Sequence, residues 1–201
     1  MFTNKTRLIL ASASPRRSDL LGRFGFNFEV IPAKAAEPAP KRFESPEDFV
    51  ARAAAHKAQA VQEELGVQDA AILSADTIVV LKDASGVQIL EKPKSGPDAV
   101  NMLSQLSGKK HEVLTGFAIV LPAKGIAYQE TVSTAVWFRS LSREEIFRYV
   151  ETGEPMDKAG AYGIQGVGSF LVDRIEGCYF NVVGLPVSRV VEQLEIFEII
   201  S

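Results

Sequence analysis

The chain has 201 residues, 46% of them hydrophobic and 23% charged, with a net charge of -3 and a pI near 5.5. This is an ordinary globular composition, enough for one large core or two lobes sharing it, and its acidic balance excludes a general attraction to nucleic acid or anionic membrane. A lone cysteine, Cys178, excludes an internal disulfide and a cysteine-based zinc site, and His56 and His111 alone give little support to a histidine-rich metal centre or a Ser-His-Asp triad.

Leu8-Ile9-Leu10 reads as a buried strand that breaks into Ala11-Ser12-Ala13-Ser14-Pro15-Arg16-Arg17 at a helix start. Ser14 can cap that helix, Pro15 suits its first turn, and Leu20, Leu21 and Phe24 continue at helical spacing. Free amides, the positive end of the helix dipole and Arg16 or Arg17 would favour an anion there. A plain capped helix with solvent-facing arginines fits the segment equally well. In an acidic chain, a local basic pocket of this kind suits a small phosphorylated ligand better than a polymer.

Phe28 to Ile31 reads as a short strand, and Pro32 to Pro40 as a proline- and alanine-rich loop whose one carboxylate is Glu37. Ser45-Pro46-Glu47-Asp48 starts a capped helix that Gly66 ends. On it Phe49, Ala53, Lys57, Val61 and Leu65 share a stripe, so Lys57 either snorkels from the apolar face or emerges as a ligand. Ala70 to Leu81 is an apolar strand interrupted by Ala75-Asp76-Thr77, and a carboxylate inside a buried strand is costly unless paired or metal-bound. Val87 to Leu90 forms the return of a hairpin ending at Glu91-Lys92-Pro93.

A helix over Pro97 to Leu106 follows, closed by Gly108, then two long, mostly buried strands over Val113 to Val120 and Thr131 to Phe138. Ser142-Arg143-Glu144-Glu145 starts a capped helix reaching Val150, and Gly153 to Gly168 is a glycine-rich loop with close backbone approaches. Phe170 to Ile175 is the last strand, and a closing helix begins with Pro186. Alternating strands and helices indicate an α/β class in a single domain over residues 1–201, without repeat or linker. No run approaches the ~20 apolar residues of a membrane span, and secretory-signal features are missing, so a cytoplasmic location is expected.

Gly108-Lys109-Lys110 lacks the rest of a Walker loop, Gly160 to Gly168 lacks dinucleotide-fingerprint spacing, and no G-x-S-x-G makes Ser12 or Ser14 an acyl-transfer nucleophile. What remains is charge in locally odd places: Arg16, Glu37, Lys57, Asp76 and Lys92. Two acids and three bases suit phosphoanhydride hydrolysis, whose catalysis is mainly positioning and charge stabilisation. The acids, Glu37 and Asp76, can hold a divalent cation and orient water, while the bases neutralise phosphate oxygens.

The stretches Leu10 to Arg17, Ser74-Ala75-Asp76-Thr77, Glu91-Lys92-Pro93, Leu106-Ser107-Gly108, Asp157 to Gly166 and Asn181 to Pro186 closely resemble the Maf family of nucleoside triphosphate pyrophosphatases. The resemblance spans almost the whole chain. It implies a mixed β-sheet flanked by helices, two lobes around a nucleotide cleft as in the related ITPase-like fold, and a homodimer. It also implies hydrolysis of a nucleoside triphosphate to the monophosphate and diphosphate with Mg²⁺ or Mn²⁺. Gly163-Ile164-Gln165-Gly166 resembles the branch acting on dTTP and UTP rather than on 7-methyl-GTP.

By position, Asp76 resembles the family's proton acceptor, Arg16, Thr77 and Gln165 its substrate-choosing residues, and Glu37, Lys57 and Lys92 the remaining active-site positions. One departure is Lys34-Ala35-Ala36, where the family usually places a second acid ahead of the loop glutamate. On this basis Ser12, Ser14 and Arg16 are expected to cradle the triphosphate, Lys57 and Lys92 to balance its charge, and Glu37 and Asp76 to bind metal. Gln165 offers a donor and an acceptor to the imide edge of uracil or thymine, and its glycine neighbours are expected to let the base approach the backbone. Arg17 is left to face solvent. A nucleotide-sensing regulator of septum formation without turnover, and an ITP-directed house-cleaning enzyme, are the competing expectations.

Overall fold

The computed structural model describes residues 2–84 and 86–201. In chain order, β1 (Arg7–Leu10) leads into α1 (Pro15–Arg23), β2 (Glu29–Val30) and α2 (Pro46–Leu65), and β3 (Ala70–Asp83) turns back into β4 (Gly86–Leu90). Then come α3 (Gly96–Leu106), β5 (Lys110–Leu121), β6 (Ile126–Phe138), α4 (Arg143–Glu151), β7 (Val172–Glu176), α5 (Tyr179–Val183) and α6 (Val187–Ile196). The strands form one seven-stranded mixed sheet in the order β2-β1-β3-β5-β6-β7, with β4 paired to β3. β1 runs parallel to β2 and β3, whereas β3–β4 and β6–β7 are antiparallel.

The chain divides into two compact units, one of residues 1–76, 115–132 and 184–201, the other of residues 77–114 and 133–183. In the first, the period-2 alternation of strands decides which side chains meet α2. Ile9 and Ala11 of the first segment, Ala70 and Ile72 of β3, and Ala118 and Val120 of β5 pack with Ala54, Ala58 and Val61 of α2 in one buried cluster. Gly116 shares the parity of Ala118. A Cβ there would lie 2.4 Å from the Val50 carbonyl oxygen and 2.8 Å from the Ala51 nitrogen, so glycine is what lets α2 lie directly on β5.

In α2 the start signals act as the sequence predicts. The Ser45 hydroxyl accepts from the Asp48 amide at 3.0 Å, Pro46 occupies the first turn, and Gly66 ends the helix in the left-handed region. In the second unit α3 and α4 pack over Val79, Leu81, Leu90, Val136 and Phe138 with Tyr149, Tyr162 and Leu171. Ser142 and Glu145 complete a full capping box on α4.

Three sequence expectations need correction. Ser14 is the N-cap residue of α1, but its side chain makes no cap hydrogen bond; the helix start is closed instead by the Ser14 carbonyl, which accepts from Arg17 and Ser18 amides at 3.2 and 3.4 Å. The last strand begins at Val172, because Phe170 and Leu171 belong to a 3₁₀ turn over Gly166–Leu171. β6 is not mostly buried: it alternates toward its end, with Thr134, Val136 and Phe138 inside and their neighbours partly exposed. The short helix α5 is an addition to the predicted elements.

Candidate active site

In the first unit, Arg16, Arg17, Glu37, Lys57 and Asp76 lie toward the carboxyl end of the parallel strands, where the chain leaves β1 and β2 and where β3 runs on. Leu10 pairs with Leu73, and the Ala11 amide donates to the Leu73 carbonyl at 2.7 Å, so the Ser12–Ser14 turn emerges beside the start of Ser74-Ala75-Asp76. Ile31, whose amide donates to Leu10 at 3.0 Å, launches the loop that carries Glu37 from the other flank.

Ser74 and Asp76 share the face of β3 that meets α2, while Ala54 and Lys57 lie one helical turn apart on α2. The two elements are therefore joined by successive rungs: Ser74 Oγ donates to the Ala54 carbonyl at 2.6 Å, and Lys57 Nζ donates to Asp76 Oδ1 at 2.5 Å. Lys57 Nζ also reaches Glu37 Oε1 at 3.0 Å. The ammonium and the Asp76 carboxylate are 16% and 18% exposed, whereas Glu37 is 63% exposed, so the pair is an enclosed feature and Glu37 its outer partner. Lys57 thus leaves the apolar stripe of α2 to pair with two carboxylates.

Arg17 does not face solvent. It is 9% exposed, with Nε donating to the Gly184 carbonyl at 2.7 Å and Nη1 to Ser12 Oγ at 3.1 Å. Burial pushes its guanidinium below the ordinary arginine value, and the nearby carboxylates of Asp76 and Glu37 act in the opposite direction. Ser12 Oγ also accepts from the Ser14 amide at 3.2 Å. With both acceptor positions engaged, the buried Ser12 hydroxyl is left with its proton to donate, and the turn before α1 is held rigid. The signal for Arg17 was available: residues 17, 20, 21 and 24 follow the i, i+3, i+4, i+7 pattern of the buried helix stripe.

Arg16 stands beside it, half-buried in the first turn of α1. Thus Ser12, Ser14, Arg16, Glu37, Lys57 and Asp76 all fall in the first unit. Thr77, half-buried on β3, Lys92, exposed after β4, and Gln165 fall in the second. There the Gly160 amide donates to the Glu91 carbonyl at 3.1 Å, tying the segment before Lys92 to the turn that precedes Gln165.

The glycines around Gln165 make room for the protein's own side chains. A Cβ at Gly163 would lie 2.9 Å from Lys158 Cε, one at Gly166 2.9 Å from Glu154 Oε2, and one at Gly168 2.4 Å from the Tyr149 hydroxyl. The close approaches are made to the protein's own side chains. Glu154 and Tyr149 carried no signal in the sequence beyond an acid between Gly153 and Pro155 and an aromatic on a helix stripe.

Among the described residues, no group of three or more His, Cys, Asp and Glu side chains forms a ready-made metal site. Glu37 and Asp76 nevertheless direct one oxygen each at a single cationic centre, Lys57 Nζ. These two carboxylates are the side chains that would hold a divalent cation, since Mg²⁺ and Mn²⁺ prefer oxygen donors. Lys34, in the stretch ahead of Glu37, pairs with Glu64 on α2.

The family model for Maf-like proteins matches residues 7–197. The chain belongs to the Maf family. It is 49% identical to a dTTP/UTP pyrophosphatase of Syntrophomonas wolfei over 90% of this chain and 92% of that one. It is 45% identical to a dTTP/UTP pyrophosphatase of Desulfotalea psychrophila, covering 96% of both. A third of the same description, from Clostridium botulinum, is 43% identical over 94% of this chain and 98% of its own. Among solved structures, a HAM1 protein from Coxiella burnetii aligns over 96% of this chain and 98% of its own, with a TM-score of 0.48 and 14% identity. This Maf-family chain has no helix, among the described residues, that is long and apolar enough to cross a membrane.

Proposed function

We propose that this chain is a nucleoside triphosphate pyrophosphatase that hydrolyses dTTP and UTP to the monophosphate and diphosphate. The observation that carries the reading is the Glu37–Lys57–Asp76 constellation beside the Ser12–Arg16 turn, in a chain whose curated relatives bear that activity in their names.

Asp76 is the general base. Lys57 holds its Oδ1 and fixes the carboxylate's orientation, leaving Oδ2 to take a proton from the water that attacks the α-phosphorus. The bond from that phosphorus to the bridging oxygen breaks, and diphosphate leaves. The turn before α1 presents Arg16 to the phosphates, with Ser12 as its internal strut, and Lys92 supplies a further positive charge. Glu37 and Asp76 would hold Mg²⁺ or Mn²⁺, which when bound neutralises phosphate charge. Thr77 and Gln165 set the choice of base, Gln165 by offering both a donor and an acceptor to an imide edge. One domain spanning the chain, working as a cytoplasmic homodimer, completes the proposal, and sedimentation analysis checks the dimer.

The test is purified protein with Mg²⁺ or Mn²⁺, a panel of nucleoside triphosphates, and separate detection of diphosphate and phosphate. Diphosphate release from dTTP and UTP is expected, with Asp76→Asn and Lys92→Ala each losing roughly two to three decades in rate. Preference for ITP would make it a purine house-cleaning enzyme, and saturable binding without turnover a sensor. Wild-type dTTP hydrolysis by Asp76→Asn would refute the general-base assignment.

A further inference from the structure

The loop that carries Gln165 is assembled around a carboxylate that the proposed chemistry does not use. Glu154 opens the turn after α4. Its Oε1 accepts from the Tyr149 hydroxyl at 2.9 Å and the Gly168 amide at 3.0 Å, and its Oε2 accepts from the Val167 amide at 3.0 Å. Tyr149 Oη in turn accepts from the Gly163 amide at 3.1 Å. Amides on both sides of Gln165 are therefore anchored to one Glu–Tyr pair, and Gln165 lies inside the bracketed segment.

The pair is well placed to act as a template. Tyr149 is 1% exposed and fixed within the core, and burial pushes its phenol above the ordinary tyrosine value, so it stays a donor to Glu154. Carboxylate-to-amide bonds are charge-assisted and short-ranged, which fixes a loop in one geometry better than neutral contacts do. Gly163, Gly166 and Gly168 remove the side chains that would otherwise strike Lys158, Glu154 and Tyr149. A glutamine that distinguishes one base edge from another needs such support, because a site looser by about 1 Å loses its discrimination.

We propose that Glu154 and Tyr149 are positioning residues for pyrimidine recognition, setting the backbone from which Gln165 meets the base. The proposal rests on Gln165 being the residue that reads the base. It is tested with UTP and CTP, which share sugar and triphosphate and differ at the edge that Gln165 would read: a keto oxygen and N3–H against an amino group and bare N3.

The readout is the ratio of kcat/KM for UTP to that for CTP, with Glu154→Gln, Tyr149→Phe, Gln165→Ala and the Glu154→Gln/Gln165→Ala double variant. Partial loss of folded enzyme scales both substrates alike and leaves this ratio unchanged. Glu154→Gln turns one acceptor into a donor facing an amide, and is expected to lower the ratio by about tenfold or more. Tyr149→Phe should lower it less, and serves if Glu154→Gln does not fold. The double variant should be no less selective than Gln165→Ala alone, because both changes act through the same side chain. If Gln165→Ala collapses the ratio while Glu154→Gln and Tyr149→Phe both preserve it, or if the effects simply add, the positioning role is overturned and base reading by Gln165 stands. If Gln165→Ala preserves the ratio, Gln165 does not read the base and both assignments fall.

Discussion

Adding one methyl group at Gly116 should damage a reaction whose groups it never touches. The new Cβ would sit 2.4 Å from the Val50 carbonyl oxygen, 2.6 Å from its carbon and 2.8 Å from the Ala51 nitrogen, all backbone atoms that cannot rotate away. Restoring ordinary contact requires α2 to lift by about 1 Å, and overpacking of this kind costs about 1–3 kcal/mol. Lys57 lies two turns further along the same helix, and its 2.5 Å bond to Asp76, like the 2.6 Å bond from Ser74 to Ala54, depends on how closely α2 sits. A displacement of about 1 Å at reacting groups costs on the order of 100-fold in rate. Gly116→Ala should therefore lower kcat for dTTP by one to two decades, by roughly that estimate, while denaturant titration shows a stability loss of about 2 kcal/mol. Stability lost with kcat unchanged would refute the coupling between helix seating and the ion pair. No change in either would refute the close packing itself.

Lys57→Met should cost about 3 kcal/mol, the low end for breaking an enclosed ion pair because both partners keep some exposure; adding Asp76→Leu should recover stability in denaturant titrations without recovering hydrolysis. Arg17→Lys cannot fork to both Ser12 and Gly184, so a stability loss of about 1.5–3 kcal/mol is expected together with a raised KM for the nucleotide. His111, 2% exposed with Nε2 at 2.8 Å from the Tyr162 hydroxyl, has its pKa lowered to about 3 by burial. Its unfolded form binds a proton that the folded form refuses, so the stability it contributes is full above about pH 6.5 and falls by about 1.4 kcal/mol per pH unit below that. The loss runs down toward the folded value of about 3. Stability curves measured between pH 7 and 4 should show this slope in the wild type and lose it in His111→Phe.

What could be read from the sequence was local or chemically odd. Ser45, Pro46 and Gly66 mark the ends of α2 because capping is decided within a few residues. Asp76 and Lys57 stood out because charge on an apolar strand or stripe requires a partner, and each is the other's. Arg17 reads in the sequence as the solvent-facing neighbour of Arg16, because its partners Gly184 and Ser12 belong to segments that only folding brings near it. Glu154 was less legible still: its partners Val167 and Gly168 lie in a loop whose glycines looked like room for a ligand. Asn181 shows the same limit, since its buried amide donates to the Val113 carbonyl and to Thr134, both at 3.0 Å and far away in sequence.

The residues that fix the distances are the ones with least chemistry of their own. A carboxylate inside β3 is tolerable only if an ammonium reaches it, and a lysine on α2 reaches it only if the helix lies close to the sheet. That closeness is set by the small faces of Ala54 and Ala58 against Ala70 and Ala118, and by the missing side chain at Gly116. The second unit repeats the logic with Gly163, Gly166 and Gly168, whose emptiness lets Glu154 and Tyr149 close on the loop behind Gln165. A substitution that enlarges any of these positions acts on geometry before it acts on stability. Selection for catalysis should therefore hold small residues there as firmly as it holds the charged ones they position.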